Sequence, residues 1–355
     1  MPSGRVQELL SSRWPTKDLE TVESCPVCGG SERTVLHDGL WDNSALSAPG
    51  RWKLWRCSGC GSAYLDPRPT KESIGRAYQS YYTHNDETTD PVPEEPRSND
   101  SLRAKLAGGY RYWRFGIGSE SSNAIGAVIG RMLPAIRRGS DAHFRYLPKT
   151  AAAEPRVLDV GCGGGQWLSR AAQTRWKVFG ADPDPSAVNL AKSNGLTVRQ
   201  GGIEVWKDSP EDFDALTMSH VIEHVHDPRD VLKQAWHLLK PGGQLYVETP
   251  NIDALGHSLF GRNWRGLEAP RHLVLFNGKS LLGLLRQAGF VNVRQQLAPS
   301  QLDFIVAVSN ELRSIDPDLP AGSPRSIQPS PWTRFRSRYT RSRREFLTVT
   351  CSRPL

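Results

Sequence analysis

The sequence predicts a doubly wound, mostly parallel α/β sheet preceded by a small metal-binding module. Three observations carry this reading: short β-type runs alternating with helical patterns from Pro155 onward, a glycine-rich turn at the end of the first run, and two C-x-x-C pairs near the amino terminus. At 355 residues the chain exceeds the usual size of one domain, so one full domain plus a smaller module or tails is expected.

Composition divides the chain into four parts: a module over 1–82, a linker and helical segment over 83–154, the main α/β domain over 155–310, and a basic tail over 311–355. In the first part, Cys25-Pro-Val-Cys28-Gly and Cys57-Ser-Gly-Cys60-Gly form two knuckles with 28 residues between them. The glycine after each second cysteine permits the positive φ that turns backbone amides toward sulfur. Four thiolates suit a structural zinc ion, which would contribute folding energy to a module poor in aliphatic residues. Iron or a redox pair is the alternative, and the separation exceeds the ~15–20 residues of the usual ribbon. The stretch "THNDETTDPVPEEPRSND" has the composition of an exposed linker, and Ser101 to Arg138 reads as one or two helices.

In the main domain the expected strands are "RVLDV", "KVFGA", "TVRQG", "DALTMS" and "QLYVET", with helices beginning near Gln166, Pro185 and Pro228. The last of these carries Val231, Leu232, Ala235, Trp236 and Leu239 on one face before "KPGG" stops it. A further helix, "KSLLGLLRQAG", leads into "FVNVRQQL". The formal net charge is +8, but eight arginines against one glutamate from Ala321 to Leu355 supply +7 of it, so the charge belongs mostly to the tail. Rich in Ser, Pro and Arg, that tail reads as disordered, with a polyanion-binding arm as the sharper option. No apolar run is long enough to span a bilayer and no secretory block opens the chain, so a cytoplasmic protein without a membrane partner is expected.

Gly161, Gly163, Gly164 and Gly165 follow "RVLDV" directly, at the carboxyl end of a parallel strand, where open sheets bind ligands. A dinucleotide loop would place glycine sixth, where this chain has Gln166, and no P-loop lysine follows. Asp159 beside the loop disfavours a phosphate and suits a cationic, phosphate-free ligand. Asp182, ending "KVFGAD", is placed to accept from ribose hydroxyls. Cys162 within the loop reads as packing, and Cys351 has no C-x-x-C partner.

"VLDVGCGGG", "GADPD", "FDALTMSHVIEHVHDP", "LLKPGGQLYVETPN" and "LLRQAGF", in that order from about Pro155 to Val293, resemble class I S-adenosylmethionine-dependent methyltransferases. The resemblance implies a seven-stranded Rossmann-like sheet with the cofactor across the carboxyl ends of its first strands. Asp159, Gly161, Gly163 and Gly165 would flank the methionine portion, Asp182 the ribose, and Ile203 or Glu204 the adenine. Family domains of this type end in a regular strand pair after "AGF"; here an irregular basic tail follows, so the sheet edge is expected to be incomplete or differently built.

His220, Glu223 and His224 fall at i, i+3 and i+4, one face of a helical turn. In the family this segment lines cofactor and acceptor, so His220 is a candidate for both cofactor contact and base, with His224 as a second base. It is also similar to quinone-precursor O-methyltransferases, where acidic residues and a histidine bind a metal; His220 replaces an acid here, and a purely structural role is the third option. In "GRNWRGLEAPRHLVLF", His272 is a further candidate base and Arg271 a candidate partner for an anionic substrate group, with a structural turn as the alternative. Cys25, Cys28, Cys57 and Cys60 are the metal ligands. The expected activity is methyl transfer from S-adenosylmethionine to oxygen or nitrogen of a small metabolite such as a sugar, glycan precursor or secondary-metabolite intermediate. The rival is an RNA methyltransferase whose zinc ribbon and arginine tail contact nucleic acid.

Overall fold

In the computed structural model, residues 4–78, 102–117, 124–324 and 326–355 are described; the acidic linker expected at 83–100 lies outside them. Helix α1 (Gly4–Ser11) precedes strands β1 (Leu19–Glu20), β2 (Arg33–Leu40), β3 (Trp52–Cys57), β4 (Ala63–Leu65) and β5 (Arg68–Pro69). β2, β3 and β4 form an antiparallel sheet, and β1 pairs with β5. Three helices follow where one or two were expected: α2 (Leu102–Phe115), α3 (Ala124–Met132) and α4 (Pro134–His143). A proline at its first turn starts α4, where a missing N–H costs nothing.

The main domain alternates β6 (Arg156–Val160), α5 (Gln166–Ala172), β7 (Lys177–Asp182), α6 (Pro185–Ser193), β8 (Thr197–Gln200), β9 (Phe213–Ser219), α7 (Pro228–Leu238) and β10 (Leu239–Pro250). Its helices start at the expected residues for identifiable reasons. Asp184 caps α6 by accepting from the Ser186 N–H, and Asp227 caps α7 by accepting from those of Arg229 and Asp230, each with proline next in the chain. The chain continues through α8 (Leu255–Phe260), β11 (Val274–Leu275), α9 (Gly278–Gln287), β12 (Val291–Gln295), α10 (Leu302–Ser314), α11 (Pro331–Tyr339) and β13 (Phe346–Ser352). An Asn277–Ser280 capping box opens α9.

Seven strands form one sheet in the order β12-β13-β10-β9-β6-β7-β8. Those from β8 to β10 are parallel, while β13 runs antiparallel to both its neighbours. The doubly wound prediction thus holds, but the expectation of a disordered tail and an incomplete edge does not. Residues 346–352 lie inside the sheet, with Leu347, Val349 and Cys351 buried on it. The composition reading failed because "FLTVTCS" is a short strand behind an arginine-rich helix, and averaging over the whole segment hides it.

The amino-terminal module is not a separate bead. β11, from the loop after β10, pairs antiparallel with β4 and becomes the fourth strand of the module's sheet. Val22, Cys25 and Tyr64 share one core cluster with Leu158, Leu216 and Val247 of the large sheet. Burial in common apolar surface, not a linker, holds the two parts together. Leu347→Ala should lower unfolding free energy by about 2–5 kcal/mol in denaturant titration, the cost of a core cavity; a disordered tail would give no change.

Candidate active site and metal centre

The chain's local chemistry shapes the loop after β6. Gly161, Gly163 and Gly165 have φ of 70°, 53° and 85°, which side chains rarely adopt. A Cβ at Gly161 would lie 2.5 Å from Val221 and one at Gly165 2.3 Å from Leu196, whereas one at Gly163 would meet open space. Gly163 is therefore where a ligand can approach bare backbone. Its N–H donates to Asp182 Oδ2 at 2.8 Å, and the Asp184 N–H donates to Oδ1 at 2.9 Å. Burial raises the Asp182 carboxyl above its ordinary value against those two donors. The remaining lone pairs of a two-oxygen acceptor stay compatible with ribose hydroxyls.

Asp159 has a different environment from the one its sequence position suggests. Fully buried on β6, it is ion-paired to Arg145 and accepts from Thr217 Oγ1 at 2.7 Å. The Arg145 guanidinium also lies 4.4 Å over the Trp167 ring. Contrary to the expectation from sequence, this carboxylate offers no bare charge to a cationic ligand, since Arg145 already balances it. Arg145 sits in a turn after α4 with φ of 46°, and sequence reasoning missed it because nothing in its spacing links it to the loop. Ile203 is buried, while Glu204 folds back to accept from the Gly202 N–H at 2.8 Å. Cys162 is buried and its thiol is pushed up by burial, consistent with packing.

Immediately after β9, His220 takes φ of 56° and its N–H donates to the Glu248 carbonyl at 2.8 Å. Its side chain is 35 % exposed and packs edge-on to Phe346. Nδ1 lies 3.2 Å from Glu223 Oε1, and the other oxygen of that buried carboxylate accepts from Thr249 Oγ1 at 2.9 Å. Burial alone would raise Glu223, but the His220 hydrogen bond and the neighbouring histidines outweigh it and hold it at about 2. The Glu223 carboxylate on Nδ1 orients the ring, with Nε2 on its other side 3.9 Å from Glu248 Oε1. Val221, the next residue, is the side chain that packs on Gly161, so this histidine loop and the glycine loop are in contact.

His224 and His272 are placed differently. Their rings meet edge to face at 4.7 Å, and His224 Nδ1 lies 2.9 Å from the Tyr78 hydroxyl and 3.1 Å from the Arg271 carbonyl. His272 Nδ1 donates to the Gly266 carbonyl at 2.8 Å. Burial pushes His224 down and His272 down to about 4, against the pull of nearby Glu268. Fixed and desolvated, His272 is a poor candidate for a base working near neutral pH. One ligand atom each from Glu223, His224 and His272 falls within 4.8 Å of the others, so this trio, not His220 with Glu223 and His224, is the set that could hold a cation.

The four knuckle cysteines converge as their spacing requires. Their sulfurs all lie within 4.8 Å of one another, with Cys25–Cys60 at 3.7 Å and Cys28–Cys57 at 3.5 Å. A tetrahedron with Zn–S bonds of about 2.3 Å has edges of about 3.8 Å, so the donor set fits that ion. Gly29 and Gly61 both take φ of 77°. Backbone amides of Val27 and Cys28 reach the Cys25 sulfur, and the Gly30 amide reaches that of Cys28.

Arg271 overturns its sequence assignment. It is completely buried and forms a two-pronged pair with Asp42 of the module, at 2.6 and 3.0 Å, while also donating to the Ala77 carbonyl and Ser44 Oγ. Its Nε donates to Glu268, which Arg265 also grips. No substrate anion can reach it; its partner is a carboxylate more than two hundred residues away, which no local pattern reveals. Trp264 is likewise buried, donating through Nε1 at 3.0 Å to Glu345, a side chain pushed up to about 7 by burial. Arg271→Met should cost about 3–5 kcal/mol in chemical denaturation, because it strands Asp42 as a buried unpaired charge.

A family described as "Methyltransferase domain" matches residues 130–295, just under half of the chain. The ubiquinone biosynthesis O-methyltransferase of Xylella fastidiosa (strain 9a5c) is 38 % identical over 106 residues, covering 27 % of this chain and 42 % of that protein. Its counterpart from Chelativorans sp. (strain BNC1) is 33 % identical over 144 residues, covering 37 % and 56 %. The chain thus spans about half the length of the curated relatives it matches. A solved SAM-dependent methyltransferase from Archaeoglobus fulgidus is similar at 16 % identity and a TM-score of 0.41, covering 63 % of this chain and 94 % of that one. Residues 130–295 are thus similar to a methyltransferase domain, in line with the resemblance carried by the glycine loop.

Proposed function

We propose that the protein transfers the methyl group of S-adenosylmethionine to an oxygen of a small acceptor, with His220 as the base. The observation that carries this reading is the Thr249–Glu223–His220 chain at the carboxyl end of β9, in contact with the glycine loop through Val221. The cofactor supplies an electrophilic methyl on a sulfonium, and the remaining chemistry is positioning and removal of one proton. Gly163 offers open backbone to the cofactor, and Asp182 accepts from its ribose. Glu223 holds His220 with Nδ1 engaged, so Nε2 takes the acceptor's hydroxyl proton as the oxygen attacks. Oxygen is preferred over nitrogen because a hydroxyl needs that base and because the similar curated proteins are named as O-methyltransferases. A sugar, a glycan precursor or a secondary-metabolite intermediate is the acceptor class. His220→Ala should reduce transfer of labelled methyl to extract metabolites by about 10²–10⁴-fold while leaving S-adenosylmethionine affinity unchanged by calorimetry. Equal transfer by the variant would remove His220 from the reaction.

The Cys25, Cys28, Cys57 and Cys60 cluster is read as a structural zinc site, supported by four converging sulfurs. It would hold β2, β3 and β4 in register beside the α7 end, where Arg229 donates to the Val27 carbonyl at 2.9 Å. Elemental analysis should find zinc at about one equivalent per chain, and Cys28→Ser should release it and lower Tm by at least about 5 °C.

A further inference from the structure

We propose that α3 and α11 present a surface that docks on an anionic lipid bilayer. The hairpin α2–α3 is packed through glycine. A Cβ at Gly109 would lie 2.8 Å from the backbone of Gly126 and Ala127, and one at Gly130 would lie 2.8 Å from Tyr110 and 3.1 Å from the Leu106 carbonyl. Backbones this close need no apolar side chains between them. Val128, Ile129, Met132 and Leu133, at i, i+1, i+4 and i+5, therefore stand outward, Met132 with 76 % of its surface exposed. Such a run of solvent-facing aliphatic residues is uncommon on a soluble monomer unless it meets an apolar phase.

Among the described residues these helices are mostly basic, although Arg334 of α11 pairs with Asp303. Residues 102–117 and 124–149 hold nine Lys and Arg against the single acid Asp141, which Tyr110 and Arg114 already engage. Arg131 and Lys149 flank Trp113, at 4.5 and 3.4 Å from its ring. A second exposed stripe lies on α11, where the Trp332, Phe335 and Tyr339 rings follow one another with centroids 5.5 and 4.8 Å apart, Trp332 65 % exposed. Residues 331–344 carry six arginines and no acid. Arg344, just after α11, donates to the Arg338 carbonyl at that helix's end and lies within electrostatic reach of Arg138 on α4.

Aliphatic residues to enter the acyl boundary, Trp and Tyr for the headgroup layer, and arginines for lipid phosphate are the three parts of an interfacial surface. Nucleic acid would use the arginines and aromatic rings but has no partner for Val128, Ile129, Met132 and Leu133. No helix among the described residues is long and apolar enough to cross a membrane, so the mode is lying on the surface. The α3 end of this face leads through α4 to Arg145, the residue paired with Asp159 beside the glycine loop.

The test is co-sedimentation of the full chain with vesicles of phosphatidylcholine and phosphatidylglycerol in equal parts, and with phosphatidylcholine alone. Binding is expected to the anionic vesicles, to weaken as salt is raised, and to fall at least about a hundredfold in Val128→Asp/Met132→Asp, about tenfold for each side chain kept from the acyl boundary. Trp332→Ala/Phe335→Ala, on a different helix, should lower it independently. Unfolding midpoints serve as the control that both exposed-site variants are folded. Three results would overturn the proposal: folded variants that bind like the native chain, absence of binding to the anionic vesicles together with salt-sensitive binding of single-stranded RNA, or a dimer in solution that Val128→Asp/Met132→Asp dissociates while vesicles are ignored.

Discussion

The ion pair between Arg271 and Asp42 sets the geometry on which the site depends. Both side chains are wholly removed from solvent, so each charge is tolerable only because the other is there, with the Ala77 carbonyl and Ser44 completing the guanidinium's partners. Around this pair the loop after β10 is drawn against the module. Its β11 pairs with β4, its Glu268 is held by two arginines, and its Arg271 carbonyl receives His224. Asp42 itself accepts from the backbone amides of Ala45, Ser47 and Ala48, so the module side of the contact is as rigid as the loop side. The two C-x-x-C knuckles, which precede β4, are thereby linked through β11 to the loop that carries Arg271 and His272.

This arrangement separates the histidines by role. His220 stays partly open and is oriented by one buried carboxylate, while His224 and His272 are drawn into the seam between module and loop. Three residues that share a family segment or a polar loop thus meet two environments, and burial, not residue type, lowers the pKa of the two in the seam.

Much of the sheet was legible because parallel strands buried on both faces are written as continuous apolar runs, and because Asp184, Asp227 and the prolines after them mark helix starts. The glycine loop was legible from its missing side chains. What stayed hidden was long-range: Arg145 on Asp159, Asp42 on Arg271, and Tyr78 on His224 join residues whose spacing carries no period. Charge at a sequence position was read as charge offered to a ligand, and in Asp159 and Arg271 it is spent inside the protein. The arginine-rich tail misled in the opposite sense, since composition describes a segment's average and β13 is only its final seven residues before the short end.

The position of β13 also bears on how the sheet assembles. Among the described residues β12 pairs with no strand but β13, so its place in the sheet waits on a strand that follows two helices and threads between it and β10. Before that event the half-built sheet exposes two unsatisfied edges, on β10 and on β12, facing a gap one strand wide. Such a vacancy invites a strand from another molecule as readily as its own, so this late, non-local insertion makes the folding chain most prone to aggregate just before it becomes complete.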